Sequence, residues 1–195
     1  VQMMNIVATG DDVYLFAGST YGGELYKYTP NWGWSSPLAT PPSGINTAMG
    51  YPGSGDFIYV LRGGTDEFWK YSISGNSWLS SADPGSTLPP ASFTSMQGCR
   101  MTPGPGNTIY CLSPDNQGQT VFQSYDAGAN AWSVRAETPV SSIPGNVGVA
   151  SGLASPGSGD VIVCLRGGGG DLWKYSIGQD RFLSTLALTP DPVGS

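Results

Sequence analysis

Histidine is absent from the 195 residues, which removes much of the usual catalytic chemistry. That excludes Ser-His-Asp and Cys-His nucleophilic sites and any His-ligated zinc, copper or iron centre. Arg62 and Arg166 are the most suggestive cations, each standing directly before a glycine pair, Gly63-Gly64 and Gly167-Gly168. A planar guanidinium fork at such a point can clasp a ligand carboxylate or sulfate. The competing expectation is that each arginine pairs with a nearby acid, such as Asp66 or Asp171, or caps loop carbonyls. Asp66-Glu67 and Asp11-Asp12 are adjacent carboxylates, but they read as solvated turn residues rather than a converging acid/base pair. The loop Asp115-Asn116-Gln117-Gly118-Gln119 is oxygen-rich yet lacks the glutamate that completes a calcium loop, so it reads as plain loop. No metal and no cofactor is expected.

Cys99 and Cys111 flank the segment Thr102-Pro103-Gly104-Pro105-Gly106, which reads as a hairpin turn. Counting outward from Pro105 sets the two cysteines opposite each other on neighbouring strands, where Cβ atoms lie ~4.5–5.5 Å apart. Two readings stand, a cross-strand disulfide or two small apolar core residues. Cys164 occupies the repeat position of Cys111 and Val60 and reads as core.

These residues sit on a repeating scaffold. Pro52–Ser80 (PGSGDFIYVLRGGTDEFWKYSISGNSWLS) returns without a gap 104 residues later as PGSGDVIVCLRGGGGDLWKYSIGQDRFLS. Two weaker copies start near Asp11 and Gly106, giving four units with boundaries near 1–44, 45–93, 94–146 and 147–195. Composition agrees with strands and turns, since 29 glycines and 16 prolines are spread along the chain and only 11% of residues are charged. Short β-rich runs bounded by Gly, Pro, Asp and Ser predict four strands per unit, paired as an antiparallel meander. In the second unit these run over 46–51, 57–62, 67–73 and 77–81, and in the third over 95–101, 108–112, 120–125 and 131–135.

Tyr28, Tyr71, Tyr125 and Tyr175 share one repeat position, at intervals of 43, 54 and 50 residues. Trp78, Trp132 and Phe182 follow the last three by seven residues, and Trp34 follows Tyr28 by six. The double glycine, then tyrosine, then tryptophan resembles the kelch repeat. That resemblance implies an all-β propeller in which each unit is a four-stranded blade. It is most specific in units two and four; unit one keeps a single glycine, Gly18, and unit three has Ser113-Pro114 instead. A lone meander leaves one sheet face bare, whereas radial stacking buries each face against the next blade. The repeating Tyr and Trp residues are therefore expected to pack between blades. Trp69 and Tyr71 should serve one face of their strand and Phe68 the other. Lys27, Lys70 and Lys174, also repeat-related, should lay their stems along apolar surface. Four repeats leave three closures open: a tight four-bladed ring, two chains forming eight blades, or part of a longer propeller.

The net charge is −6 with an isoelectric point near 4.3, and the eight cations are scattered singly. Nothing here offers the basic stripe that nucleic acid or an anionic bilayer would require. No apolar run approaches the ~20 residues of a spanning helix, and no signal peptide is read at Val1. The functional expectation is a non-catalytic, extracellular or cell-surface module that binds protein or its own copies. A carbohydrate-binding variant would use exposed aromatics such as Trp32, which lies outside the repeat position of Trp34. A fragment of a two-carboxylate glycan-cleaving enzyme is the remaining alternative.

Overall fold

A computed structural model describes residues 3–19, 22–40, 48–62, 64–91, 99–114, 120–135, 152–157, 159–165 and 172–183. Among the described residues, sixteen strands form four antiparallel four-stranded sheets arranged as a four-bladed β-propeller. Blade 1 contains β1 (Met3–Thr9), β2 (Asp12–Ser19), β3 (Gly22–Thr29) and β4 (Gly33–Trp34). Blade 2 contains β5 (Ala48–Gly50), β6 (Phe57–Leu61), β7 (Phe68–Ser72) and β8 (Ser77–Ser80). Blade 3 contains β9 (Arg100–Gly104), β10 (Thr108–Pro114), β11 (Thr120–Asp126) and β12 (Ala131–Val134). Blade 4 contains β13 (Gly152–Ala154), β14 (Val161–Leu165), β15 (Leu172–Ser176) and β16 (Arg181–Phe182).

Every sheet pairs its strands in chain order, as the meander predicted. The first strand of each blade lies next to its neighbour's, β1 against β5, β5 against β9 and β9 against β13. Blades approach closely there. A Cβ built on Gly50 would stand 2.8 Å from Ile109 Cγ2 of the next blade, so this position requires glycine.

Register converts the alternating sequence into two apolar faces per blade. Ile58 pairs with Tyr71 and Val60 with Trp69, and this face packs on blade 1 through Tyr14, Phe16 and Leu25. Tyr59, Leu61 and Phe68 point the other way, onto Ile109, Cys111 and Tyr125 of blade 3. Blade 3 in turn offers Tyr110, Leu112 and Phe122 to Ile162, Cys164, Trp173 and Tyr175 of blade 4. The expected division between Trp69/Tyr71 and Phe68 is what the cores display. Among the described residues, buried clusters join blade 1 to 2, 2 to 3 and 3 to 4, and none joins 4 to 1.

One register expectation is corrected. β9 runs on to Gly104, with Thr108 paired to Gly104, so the turn is displaced towards Asn107. Cys111 therefore faces Met101, and Cys99 lies two residues off, on the diagonal. The prolines and glycines counted as turn are accommodated in the strand itself. Both cysteines are buried free thiols in the core between blades 2 and 3, with their Sγ atoms 3.1 Å apart.

Candidate functional surface

Arg62 directly follows the second strand of blade 2, and its acid is Glu67 rather than Asp66. Its Nη1 donates to both carboxylate oxygens of Glu67, at 3.0 and 2.9 Å. Glu67 also accepts from Trp69 Nε1 at 3.2 Å, which ties the pair to the blade. Asp66 is exposed, and its backbone carbonyl accepts from Ala91 N at 2.9 Å. Beyond the arginine, Gly64 adopts φ 80°, a left-handed turn position that a side chain would strain. Arg166, Gly63, Gly167, Gly168, Asp171 and the 115–119 loop lie outside the described residues. The Arg62 fork expected to clasp a ligand is thus engaged in an ion pair.

Lys27 meets Asp12 at 3.4 Å, and Lys70 Nζ lies 4.5 Å from the Phe57 ring centre. The latter is the apolar lie expected for these lysines. Among the described residues, no group of three or more Cys, Asp or Glu side chains is placed to hold a metal ion. Two small hollows of about 170 and 220 Å³ lie by the turns that join first and second strands. Asp56 is the one carboxylate lining the first, and the second is lined by Pro, Gly and Ser.

Sequence reading missed a recurring latch. Tyr71 donates its hydroxyl to Asn76 Oδ1 at 2.9 Å, Tyr125 to Asn130 Oδ1 at 2.7 Å, and Tyr175 to Asp180 Oδ1. Each acceptor follows its tyrosine by five residues and sits at positive φ, 45°, 52° and 45° respectively. Asn and Asp tolerate that conformation better than other side chains. The latch also crosses between blades. Asn76 Oδ1 accepts from Ala39 N at 2.7 Å, and Trp78 Nε1 donates to Ala39 O at 2.9 Å. Asn130 Nδ2 likewise donates to Thr87 O at 2.7 Å. The signal was in the sequence as Tyr-x4-Asn/Asp-x-Trp/Phe.

A second clamp holds the base of β6 and β14. Asp56 accepts from the Ser72 hydroxyl at 2.7 Å and from Ser74 N at 2.8 Å. Asp160 accepts from the Ser176 hydroxyl at 2.5 Å and from Gly178 N. The serine hydrogen bonds, followed by the backbone donors, hold both carboxyls below the usual carboxylate value. Burial pushes the Tyr14 phenol up to about 12 and raises Tyr71, Tyr125 and Tyr175 as well, so the latch tyrosines stay protonated donors.

Blade 1 departs from the pattern on its outer face. The pairing of Val13 with Tyr28 and of Ile6 with Leu15 makes these residues equivalent to Ile58, Tyr71, Met49 and Val60. Tyr71 is 1% exposed and Met49 6%, but Tyr28 is 37%, Ile6 67% and Trp34 57% exposed. Tyr28 has Gly33 five residues on, with no side chain to latch it, and its turn is one residue shorter. At the opposite end of the arc, Val163, Leu165 and Leu172 of blade 4 are half-exposed, where blade 2 buries Tyr59, Leu61 and Phe68. Trp32 projects from the β3–β4 turn and is 87% exposed, apart from this face.

No known family profile matches the chain, and no curated protein matches it by sequence. Solved structures do resemble it. YjhT superposes with a TM-score of 0.71 at 15% identity, covering 98% of this chain and 67% of YjhT. The WD40 repeats of RRP9 give a TM-score of 0.59 at 15% identity over 92% of this chain. An auxiliary nutrient binding protein from Bacteroides ovatus gives 0.60 at 11% identity over 93%. The chain spans less than half of those last two proteins, 49% and 40%. Identities this low establish the fold, a β-propeller.

Proposed function

We propose that this chain is a kelch-type, non-catalytic propeller module that works outside the cell by binding protein, its first partner being a second copy of itself. The observation that carries this is the bare outer face of blade 1, where Ile6 and Tyr28 stand exposed at positions that blade 2 buries, and Trp34 at one that blade 2 half-buries. That face is built like the faces that already stack within the chain. Its natural complement is the half-exposed apolar face of blade 4 on another copy, which repeats the chemistry of blade 2's contact with blade 3. The pairing is head-to-tail, so two copies close a ring or successive copies extend a polymer. One similar structure is described as a nutrient binding protein, so the fold serves a binding role there.

Light scattering on the purified chain tests the reading. A dimer or larger species is expected from the 20.3 kDa chain, and Ile6→Lys should return it to monomer. Because Ile6 is an exposed position, the substitution should change stability by no more than about 0.5 kcal/mol. A wild-type monomer at all concentrations would sink the self-association reading. A second, carbohydrate-binding reading is favoured by Trp32, whose exposed ring is free to stack on a sugar. Glycan-array binding lost in Trp32→Ala would support it.

A further inference from the structure

The diagonal pair Cys99 and Cys111 stands apart from the blade surfaces and from the binding reading above. Their sulfurs lie 3.1 Å apart, closer than two unbonded sulfur atoms comfortably rest, although the register does not set them directly opposite. Packing has brought them together in the core between blades 2 and 3, beside Leu61, Ile109 and Tyr125. The β9 ladder ends at the pairing of Arg100 with Leu112, so Cys99 lies just outside it. Its backbone can therefore adjust without breaking a ladder hydrogen bond, and side-chain rotation can close the remaining gap to the ~2.05 Å of a disulfide.

We infer that Cys99 and Cys111 form an intrachain disulfide when the chain folds under oxidising conditions, stapling the entry of blade 3 to its second strand. Timing follows from burial. Both thiols are enclosed once blade 2 docks on blade 3, and burial, with the Cys99 thiol beside it, pushes the Cys111 thiol well above its ordinary value. The folded Cys111 thiol is thus a poor nucleophile. The bond must form while the β9–β10 hairpin exists and the interblade core is still open, which suits a contact only 12 residues apart in sequence. With glutathione disulfide as oxidant, one cysteine thiolate attacks it and releases one glutathione thiol. The second cysteine then displaces the other glutathione from the mixed disulfide. Two protein thiols lose two electrons and two protons, and glutathione disulfide gains them as two thiols.

Cys164 supplies an internal control. It holds the position of Cys111 in blade 4 and pairs with Leu153, and counting two residues back gives Ser151 rather than cysteine. The test is to refold the reduced, denatured chain in a reduced/oxidised glutathione buffer and map its tryptic peptides without reduction. Cleavage after Arg100 separates the two cysteines, so the bond would link the peptide ending at Arg100 to the one starting at Met101. One thiol, Cys164, should then titrate in denaturant. Cys164→Ser should keep the link and Cys99→Ser should abolish it. The oxidised protein should melt roughly 5–10 °C above the reduced protein. Three titrating thiols after refolding, or links running mainly through Cys164, would overturn the inference. The wild-type peptide map decides the matter even if Cys99→Ser fails to fold, and none of these outcomes depends on the chain's binding partner.

Discussion

Asn76→Ala probes the latch that recurs through blades 2 to 4. The substitution removes the acceptor of the Tyr71 hydroxyl, and Tyr71 is 1% exposed, so its O–H is left buried without that partner. An orphaned buried hydroxyl costs about 1–3 kcal/mol. The backbone at 76 has φ 45°, and alanine there adds about 1 kcal/mol of strain. The amide of Ala39 also loses its acceptor, but that contact is exposed and water replaces it at little cost. The sum is about 2–4 kcal/mol, or roughly 5–12 °C in melting temperature for a chain of this size. Urea unfolding followed by tryptophan fluorescence reads it. Asn76→Gly separates the two contributions, since glycine keeps the left-handed backbone and should cost only the hydroxyl's share. Tyr71→Phe should cost about 1 kcal/mol, because Asn76 Oδ1 still accepts from Ala39. In the double-mutant cycle of Tyr71→Phe with Asn76→Gly, a coupling of about 1 kcal/mol or more is expected. A coupling indistinguishable from zero would refute the latch.

Acid should destabilise the fold through Asp56 and Asp160, whose folded carboxyls lie below the ordinary 3.8 because serine hydroxyls and backbone amides donate to them. A depressed folded value means the stabilisation is complete above the unfolded value and is lost as pH falls through the folded one. Melting should therefore change little on account of these groups between pH 7 and 5, then fall below about pH 4, with a shallower acid limb in Asp56→Asn/Asp160→Asn. Gly50→Ala should destabilise by about 1–3 kcal/mol in thermal melts, since its Cβ would sit 2.8 Å from Ile109 Cγ2 where two blades meet. A neutral Gly50→Ala would mean that blades 2 and 3 can separate locally at no cost.

Repeats made the blade architecture legible, because a 104-residue offset without gaps fixes equivalent positions before any contact is known. Alternation then assigned Trp69 and Tyr71 to one face and Phe68 to the other, and both assignments match the cores. The side-chain partners were less legible. Arg62 chose Glu67 over Asp66 because Glu67 lies next to the strand, where its carboxylate also meets Trp69 Nε1, while Asp66 points to solvent. The Cys99–Cys111 register failed for a local reason. Pro103 and Gly104 look like turn residues, yet they sit in β9, where Pro103 pairs with Ile109. The latch asparagines went unread because an Asn in a polar turn has many uses. Its bond to a tyrosine leaves only a spacing in the sequence, Tyr-x4-Asn/Asp, and that spacing gains meaning when the turn closes over the neighbouring blade.

Tyr28 and Tyr71 show why the functional surface was harder still to read. They are the same residue type at the same repeat position, paired to Val13 and Ile58 respectively, and each packs at a tilt against the tryptophan of the next strand. One is 37% exposed and the other 1%, because blade 2 has blade 1 beside it and the matching face of blade 1 is uncovered. Burial in a propeller is thus a property of the neighbour, not of the residue. A repeat that needs a neighbour on both sides carries its binding chemistry wherever the array leaves a face bare. On the proposed self-association, the uncovered faces of blades 1 and 4 are the contact surface, while the same side chains one blade inward hold the fold together.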